Sequence, residues 1–319
     1  MNMEKEMQEP HWERRVLEKI ALESLKETRA KRRWGIFFKF AGLAYLVAIL
    51  VLVVDWDAPE KQTSDKHTAL INVGGSIDAK GDASAEKING ALRSAFEDKR
   101  TAAVILRVNS PGGSPVQAGI AHDEIRRLRE KHPDIPLYAV VEDMCASGCY
   151  YIVSAADRIF VDKASVVGSI GVLINGFGFT EAMRHLGIER RLLTAGDNKG
   201  FLDPFSPQDA QQKAYAETLL REIHTQFIEV VRRGRGNRLR ETPEMFSGLM
   251  WTGSQSVELG LADDFGTVGS VARDIVGIDR IVDFSVKANL AERVTKYLGT
   301  STDQRLLLRL LDGDHAIMR

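Results

Sequence analysis

Ser147 stands in Cys145-Ala146-Ser147-Gly148-Cys149, between a β-type apolar run and an apolar helical stretch (Tyr150, Tyr151, Ile152). A serine at such a turn has an ordinary use and a chemical one. Its hydroxyl can cap the helix by accepting a backbone hydrogen bond. It can also stand as a nucleophile, with the Gly148 amide aimed where an oxyanion would form. Position alone favours the cap. The Gly-x-Ser-x-Gly elbow is absent, because cysteines hold both glycine positions. His122 and His132 lie on or just after one expected helix, and His185 and His224 fall within others, so no Ser-His-Asp triad is evident.

Two loops could complete a site around that serine. Asn109-Ser110-Pro111-Gly112-Gly113 ends an apolar run, and adjacent glycines let a backbone approach a substrate closely and aim N–H groups at it. Alone it is only a turn. Lys199 lies in Ala195-Gly196-Asp197-Asn198-Lys199-Gly200, where the bland reading is a solvated lysine. At the ordinary lysine pKa of about 10.4, only about one in 2,500 is neutral at pH 7. A lysine therefore serves as a base only where burial withdraws water from it.

The elements that must position these groups can be read from the pattern. Short β-rich runs alternate with helical ones: strands over Ala69–Val73, Ala102–Val108, Leu137–Val141, Arg158–Val161, Gly171–Ile174 and Arg190–Leu193, with helices near 114–131 and 207–232. Ile88, Ala91, Leu92, Ala95 and Phe96 add another helical face. The alternation predicts an α/β domain with mostly parallel strands, whose functional groups gather at the strands' carboxyl ends.

Bulk composition narrows the rest. The chain has 319 residues, 44% hydrophobic and 27% charged, with net charge −1, so nothing points to nucleic acid. The histidines and two cysteines form no zinc-type spacing, and neither metal nor other cofactor is expected. Gly35 to Val54 is apolar apart from Lys39 and long enough to cross a bilayer core. Lys26, Arg29, Lys31, Arg32 and Arg33 precede it, while Asp55, Asp57 and Glu60 follow. The positive-inside rule then puts residues 1–34 in the cytoplasm and the rest across the inner membrane, held by one uncleaved span. Trp12, Val16, Leu17, Ile20, Ala21 and Leu25 fit either a short amphipathic helix before the span or a solvated charged tail. Residues 55–67 read as a linker, 68–276 as the main domain and 277–319 as an extension with an apolar cluster at Leu306–Leu311.

Together these residues resemble the signal peptide peptidase A (protease IV) family of Ser/Lys peptidases in its short form. Five motifs carry the resemblance, in order: Asn-Ser-Pro-Gly-Gly (109–113), Ala-Ser-Gly followed by Tyr-Tyr (146–151), Gly-Ser-Ile-Gly-Val (168–172), Ala-Gly-x-x-Lys (195–199), and Trp-Thr-Gly (251–253) leading into Glu-Leu-Gly-Leu-Ala-Asp (258–263). The resemblance implies Ser147 as nucleophile, Lys199 as general base and Ser169 as the residue that orients the lysine. It also implies oxyanion donors at Gly148 and at Gly112 or Gly113, and a Clp-protease/crotonase-like superhelix of ββα units. Apolar, signal-peptide-like substrates and a closed ring of identical copies, with the dyad within or between them, are implied as well.

Cys145 and Cys149 replace small residues usual in that family, and Asn198 stands where an aromatic is common. Four-residue spacing on a helical turn suits a disulfide poorly, so both cysteines are expected reduced and buried. Two other readings stay open: a catalytically silent membrane scaffold of the same fold, and an acyl-CoA enzyme, which fits a domain outside the membrane poorly.

Overall fold

The structure is a computed structural model that describes residues 12–53 and 65–286. The chain divides into two units, one of Met1–Gln62 with Ala288–Arg319 and one of Thr63–Lys287. In the first, a single helix, α1 (Trp12–Val53), joins the leading segment and most of the apolar run. Its large apolar side chains are exposed, Phe40 at 67% and Leu46 at 64% among them. Among the described residues no helix is long and apolar enough to cross a membrane. The expected span of residues 35–54 runs past that limit, since residues 49–53 are described in backbone only and Val54 lies outside. The linker over 55–64 and the cluster at Leu306–Leu311 also lie outside the described residues.

The second unit opens with β1 (His67–Gly74), α2 (Ala85–Glu97), β2 (Thr101–Ser110), α3 (Pro115–Lys131) and β3 (Leu137–Ala146). The three strands pair in parallel, with Leu70 opposite Ile105 and Ile105 opposite Tyr138. Parallel sheets need cover on both faces, and Ala103, Val104, Ile105 and Leu106 are fully buried. Local signals start the helices. Ser84 and Ser114 accept backbone hydrogen bonds as caps, and Pro115 takes the first turn, where its missing N–H costs nothing.

β3 is forked, and the fork positions the site. Tyr138–Val140 pair with β4 (Arg158–Val161), whereas Met144–Ala146 pair with β5 (Val166–Gly168). Glu142 and Asp143 are exposed at the crotch. Because its last residues find a second partner, β3 continues past the expected end at Val141 and delivers Ser147 directly into α4 (Gly148–Val153).

The remaining chain contains α5 (Thr180–His185), α6 (Ala210–Arg235), β6 (Met250–Thr252), α7 (Gly253–Glu258), β7 (Asp264–Phe265), α8 (Val268–Ser270) and β8 (Ile281–Asp283). The sheet runs β6-β5-β3-β2-β1-β8, with β4 and β7 off that path and β6 antiparallel. The architecture is α/β with a mostly parallel sheet. Buried Arg235 pins α6 to the turn before β7, donating to Gly260 O and Asp263 at 2.8 Å each.

Two expected strands are absent. Gly171–Ile174 and Arg190–Leu193 find no ladder partner. Their apolar side chains face outward instead, Leu173 at 78% and Leu193 at 95% exposure. A β-like composition there reflects an apolar surface and not a sheet.

Candidate active site

Ser147 adopts φ 53° and ψ −123°, a region that side-chain-bearing residues rarely enter. Its backbone is held on both sides, with its N–H donating to Gly168 O (2.8 Å) and its carbonyl accepting from Tyr151 N (3.0 Å). The side chain makes no capping bond to α4. The ordinary use of a serine at this place is therefore not the one adopted. The strained turn lifts the hydroxyl off the helix end and leaves it at a partly open surface.

The Pro111-Gly112-Gly113 turn packs directly on that serine. A Cβ on Gly112 would lie 2.6 Å from Ala146 O and 2.7 Å from Gly148 N, and one on Gly113 would lie 2.1 Å from Ile77 O. With φ of 93° and 152° as well, both positions demand glycine. The Gly112 N–H donates to Ser110 Oγ at 3.1 Å. Among the described residues the Gly113 and Gly148 N–H groups have no acceptor, and a Cβ on Gly148 would lie 3.3 Å from Gly113 N. Two unsatisfied amides beside one serine hydroxyl can receive a developing negative charge.

Ser169 follows β5, whose Gly168 pairs with Ala146, so it flanks Ser147 across the fork. It too has positive φ, 50°, and its N–H donates to Leu249 O at 2.8 Å. A cavity of about 50 Å³ opens beside Ser147, lined by Gly113, Tyr151, Gly171, Val172 and Phe227 among others. The Tyr151 ring leans on Phe227 and on His122, with centroids at 5.1 and 5.4 Å. Burial lowers the His122 pKa, partly opposed by the hydrogen bond its Nδ1–H donates to Asp123.

Cys145 and Cys149 are joined as a disulfide around the Ser147 turn, with Cα atoms 5.2 Å apart and both residues fully buried. This corrects the expectation of free thiols. That expectation placed both on one helical turn, whereas Cys145 lies at the end of β3, before Ala146, and Cys149 lies in the first turn of α4. The kink at Ser147 between them brings the Cα atoms within disulfide range.

The sequence of residues 129–276 matches the profile described as Peptidase family S49. A protein of Enterococcus faecium named putative signal peptide peptidase SppA is 31% identical over 216 residues, 65% of this chain and 62% of that one. Protease 4 of Haemophilus influenzae is 31% identical over 215 residues, 66% of this chain and 34% of that one. Over residues 129–276 this chain is thus similar to peptidase family S49. A Brucella abortus protein named Na(+)/H(+) antiporter NhaA is 44% identical over 188 residues, 59% of this chain but only 25% of that protein. This chain thus spans less than two thirds of these relatives' length.

The S49 domain is that of a serine peptidase. Within one copy the fold gathers Ser147, Gly148, Gly112, Gly113 and Ser169 at the ends of β2, β3 and β5, but Lys199 does not line the Ser147 cavity. The Lys199 side chain is exposed in the turn over residues 196–200, and the residue's backbone N–H donates to Gly196 O. Reading the sequence missed two supporting residues. Buried Ser110 donates to Gly75 O (2.6 Å) while accepting from Gly112, and its place in Asn-Ser-Pro-Gly-Gly was the available signal. His224 hydrogen-bonds Ile170 O at 3.1 Å, and no motif marks it.

Proposed function

We propose that this protein is a membrane-anchored serine endopeptidase in which Ser147 is the nucleophile and Lys199 the general base. The observation that carries the reading is Ser147 itself. It holds a strained turn, does not cap its helix, and has two unsatisfied amides beside its hydroxyl. The fold we assign is the Clp-protease/crotonase type, in keeping with a parallel sheet whose site lies at the strands' carboxyl ends.

In this reading Ser147 Oγ attacks the scissile carbonyl carbon and its proton passes to a neutral Lys199 Nζ. The oxyanion is received by the Gly113 and Gly148 N–H groups, with Gly112 shaping the turn instead of donating. The lysine then protonates the leaving amine. Next it takes a proton from a water that attacks the acyl-enzyme. As the ester bond breaks it returns that proton to Ser147 Oγ, restoring the hydroxyl and the neutral lysine while the acid product leaves and ionises. Ser169, beside the nucleophile, orients the lysine.

An exposed Lys199 in a single copy favours a dyad completed by a neighbouring copy in a ring. The segment around it also exposes Leu173, Phe177, Leu186 and Leu193, an apolar surface of the kind that partners cover. The cavity of about 50 Å³ takes a small apolar side chain on the acyl side of the cleaved bond. We assign residues 35–54 as a single inner-membrane span with a cytoplasmic N-terminus and the peptidase domain outside. Remnant signal peptides are then the natural substrates, since their apolar character and their location both match. The antiporter name of the Brucella relative attaches to a protein three quarters of which lies outside the match, and no transport role follows from it.

The deciding experiment uses purified full-length protein and an apolar peptide. Ser147→Ala and Lys199→Ala should each abolish hydrolysis, and mixing the two inactive variants should restore part of it if the dyad forms between copies. Hydrolysis surviving in either single variant would overturn the assignment. Failure of wild type to react with a fluorophosphonate probe would favour the silent scaffold.

A further inference from the structure

After Ser169 the chain leaves the sheet. Residues 169–179 carry no regular structure, although Gly171 and Val172 form one wall of the cavity beside Ser147. Among the described residues, 170–178 make a single hydrogen bond, the one from His224 to Ile170 O. Ile170 itself is fully buried, so this carbonyl would otherwise stand unpaired in the interior.

His224 lies on α6 in the same turn as Ile223, Gln226 and Phe227, which also line that cavity. One side chain therefore ties both walls together. A carbonyl can only accept, so Nε2 must carry the proton, which sets the ring's tautomer or leaves it doubly protonated. On the other side of the wall, Gly171 packs so closely on Gly248 that an added Cβ would lie 3.1 Å from its Cα. That contact limits movement outward but supplies no hydrogen bond.

We infer that His224 is a positioning residue for the peptidase reaction. It fixes the Gly171–Val172 wall against α6 and so sets how firmly the cavity grips the substrate side chain next to the cleaved bond. It touches neither the hydroxyl nor the reacting carbonyl. The inference rests on the peptidase reading, in which that cavity holds an acyl-side side chain.

The test compares full-length wild type, His224→Leu and His224→Gln on two peptides that differ only in having alanine or glycine at the acyl-side position. Leucine keeps bulk without a donor, and the glutamine amide restores a donor. Losing one such bond should lower kcat/KM on the alanine peptide by roughly 3–10-fold in His224→Leu. The glycine peptide should be nearly unaffected, and His224→Gln should recover most of the loss. Fluorophosphonate labelling of Ser147 should proceed at the wild-type rate in all three. Equal losses on both peptides, no loss in His224→Leu, or no recovery in His224→Gln would overturn the role. Should His224→Leu not fold, ¹⁵N-histidine spectra of wild type decide: a protonated Nε2 supports the tether and a bare one removes it. Wild type that cleaves neither peptide sinks the peptidase reading instead, and the spectrum still tests the bond.

Discussion

At the scale of single residues, the site depends on groups whose role lies in backbone geometry. Ser110 is the clearest case, because one buried hydroxyl satisfies both Gly75 O and Gly112 N–H. Ser110→Ala leaves both unpaired inside the protein and should cost about 1–3 kcal/mol in chemical denaturation. It should also slow fluorophosphonate labelling of Ser147, since the glycine turn loses its anchor. The bridge between Cys145 and Cys149 makes a separate prediction. Denaturation without reductant should leave both cysteines closed to iodoacetamide, and prior reduction should yield two adducts by intact mass. Residue types were legible here, but their torsions were not. Ser147, Gly112 and Gly113 could be picked out by company, yet the positive φ that frees the Ser147 hydroxyl and closes the disulfide is set by how β3 meets β5.

At the scale of elements, α2 and α3 are clamped by Glu124, which accepts from Arg93 Nε (2.6 Å) across the helix pair and from Arg127 on its own helix (2.7 and 2.8 Å). The hydrogen bonds from Arg127, and then the one from Arg93, hold its carboxyl at about 2 against the burial that would raise it. A carboxyl lowered in the folded state contributes stability above its unfolded pKa of about 4.3, and that contribution is lost as pH falls toward about 2. Both arginines are half exposed, so solvent screening reduces the clamp to about 1–2 kcal/mol. Glu124→Gln should therefore lower the urea midpoint at pH 7 and converge with wild type near pH 2. The helices that carry this clamp were readable from apolar spacing and serine caps. The two phantom strands were not avoidable that way, because Leu173 and Leu193 give a strand-like pattern whether they meet a ladder or solvent.

At the scale of the whole molecule, much apolar surface is left exposed among the described residues of one copy. The sequence already exposed the apolar run of α1, whereas the segment near Lys199 was mistaken for sheet and its surface character emerged only from the fold. Leu193, at 95% exposure and six residues before Lys199, isolates the question. A solvent-facing leucine contributes little to the fold of its own chain, so Leu193→Asp should change unfolding stability by no more than about 0.5 kcal/mol. If a second copy covers this face, the same change buries an unpaired carboxylate in the contact. Sedimentation velocity should then show a shift toward single copies, and peptide hydrolysis should fall about tenfold or more, as for loss of a central contact. Fluorophosphonate labelling should fall with it, because Ser147 would lose the lysine that activates it. Unchanged assembly with unchanged hydrolysis would place the base within the same copy and remove the need for a ring.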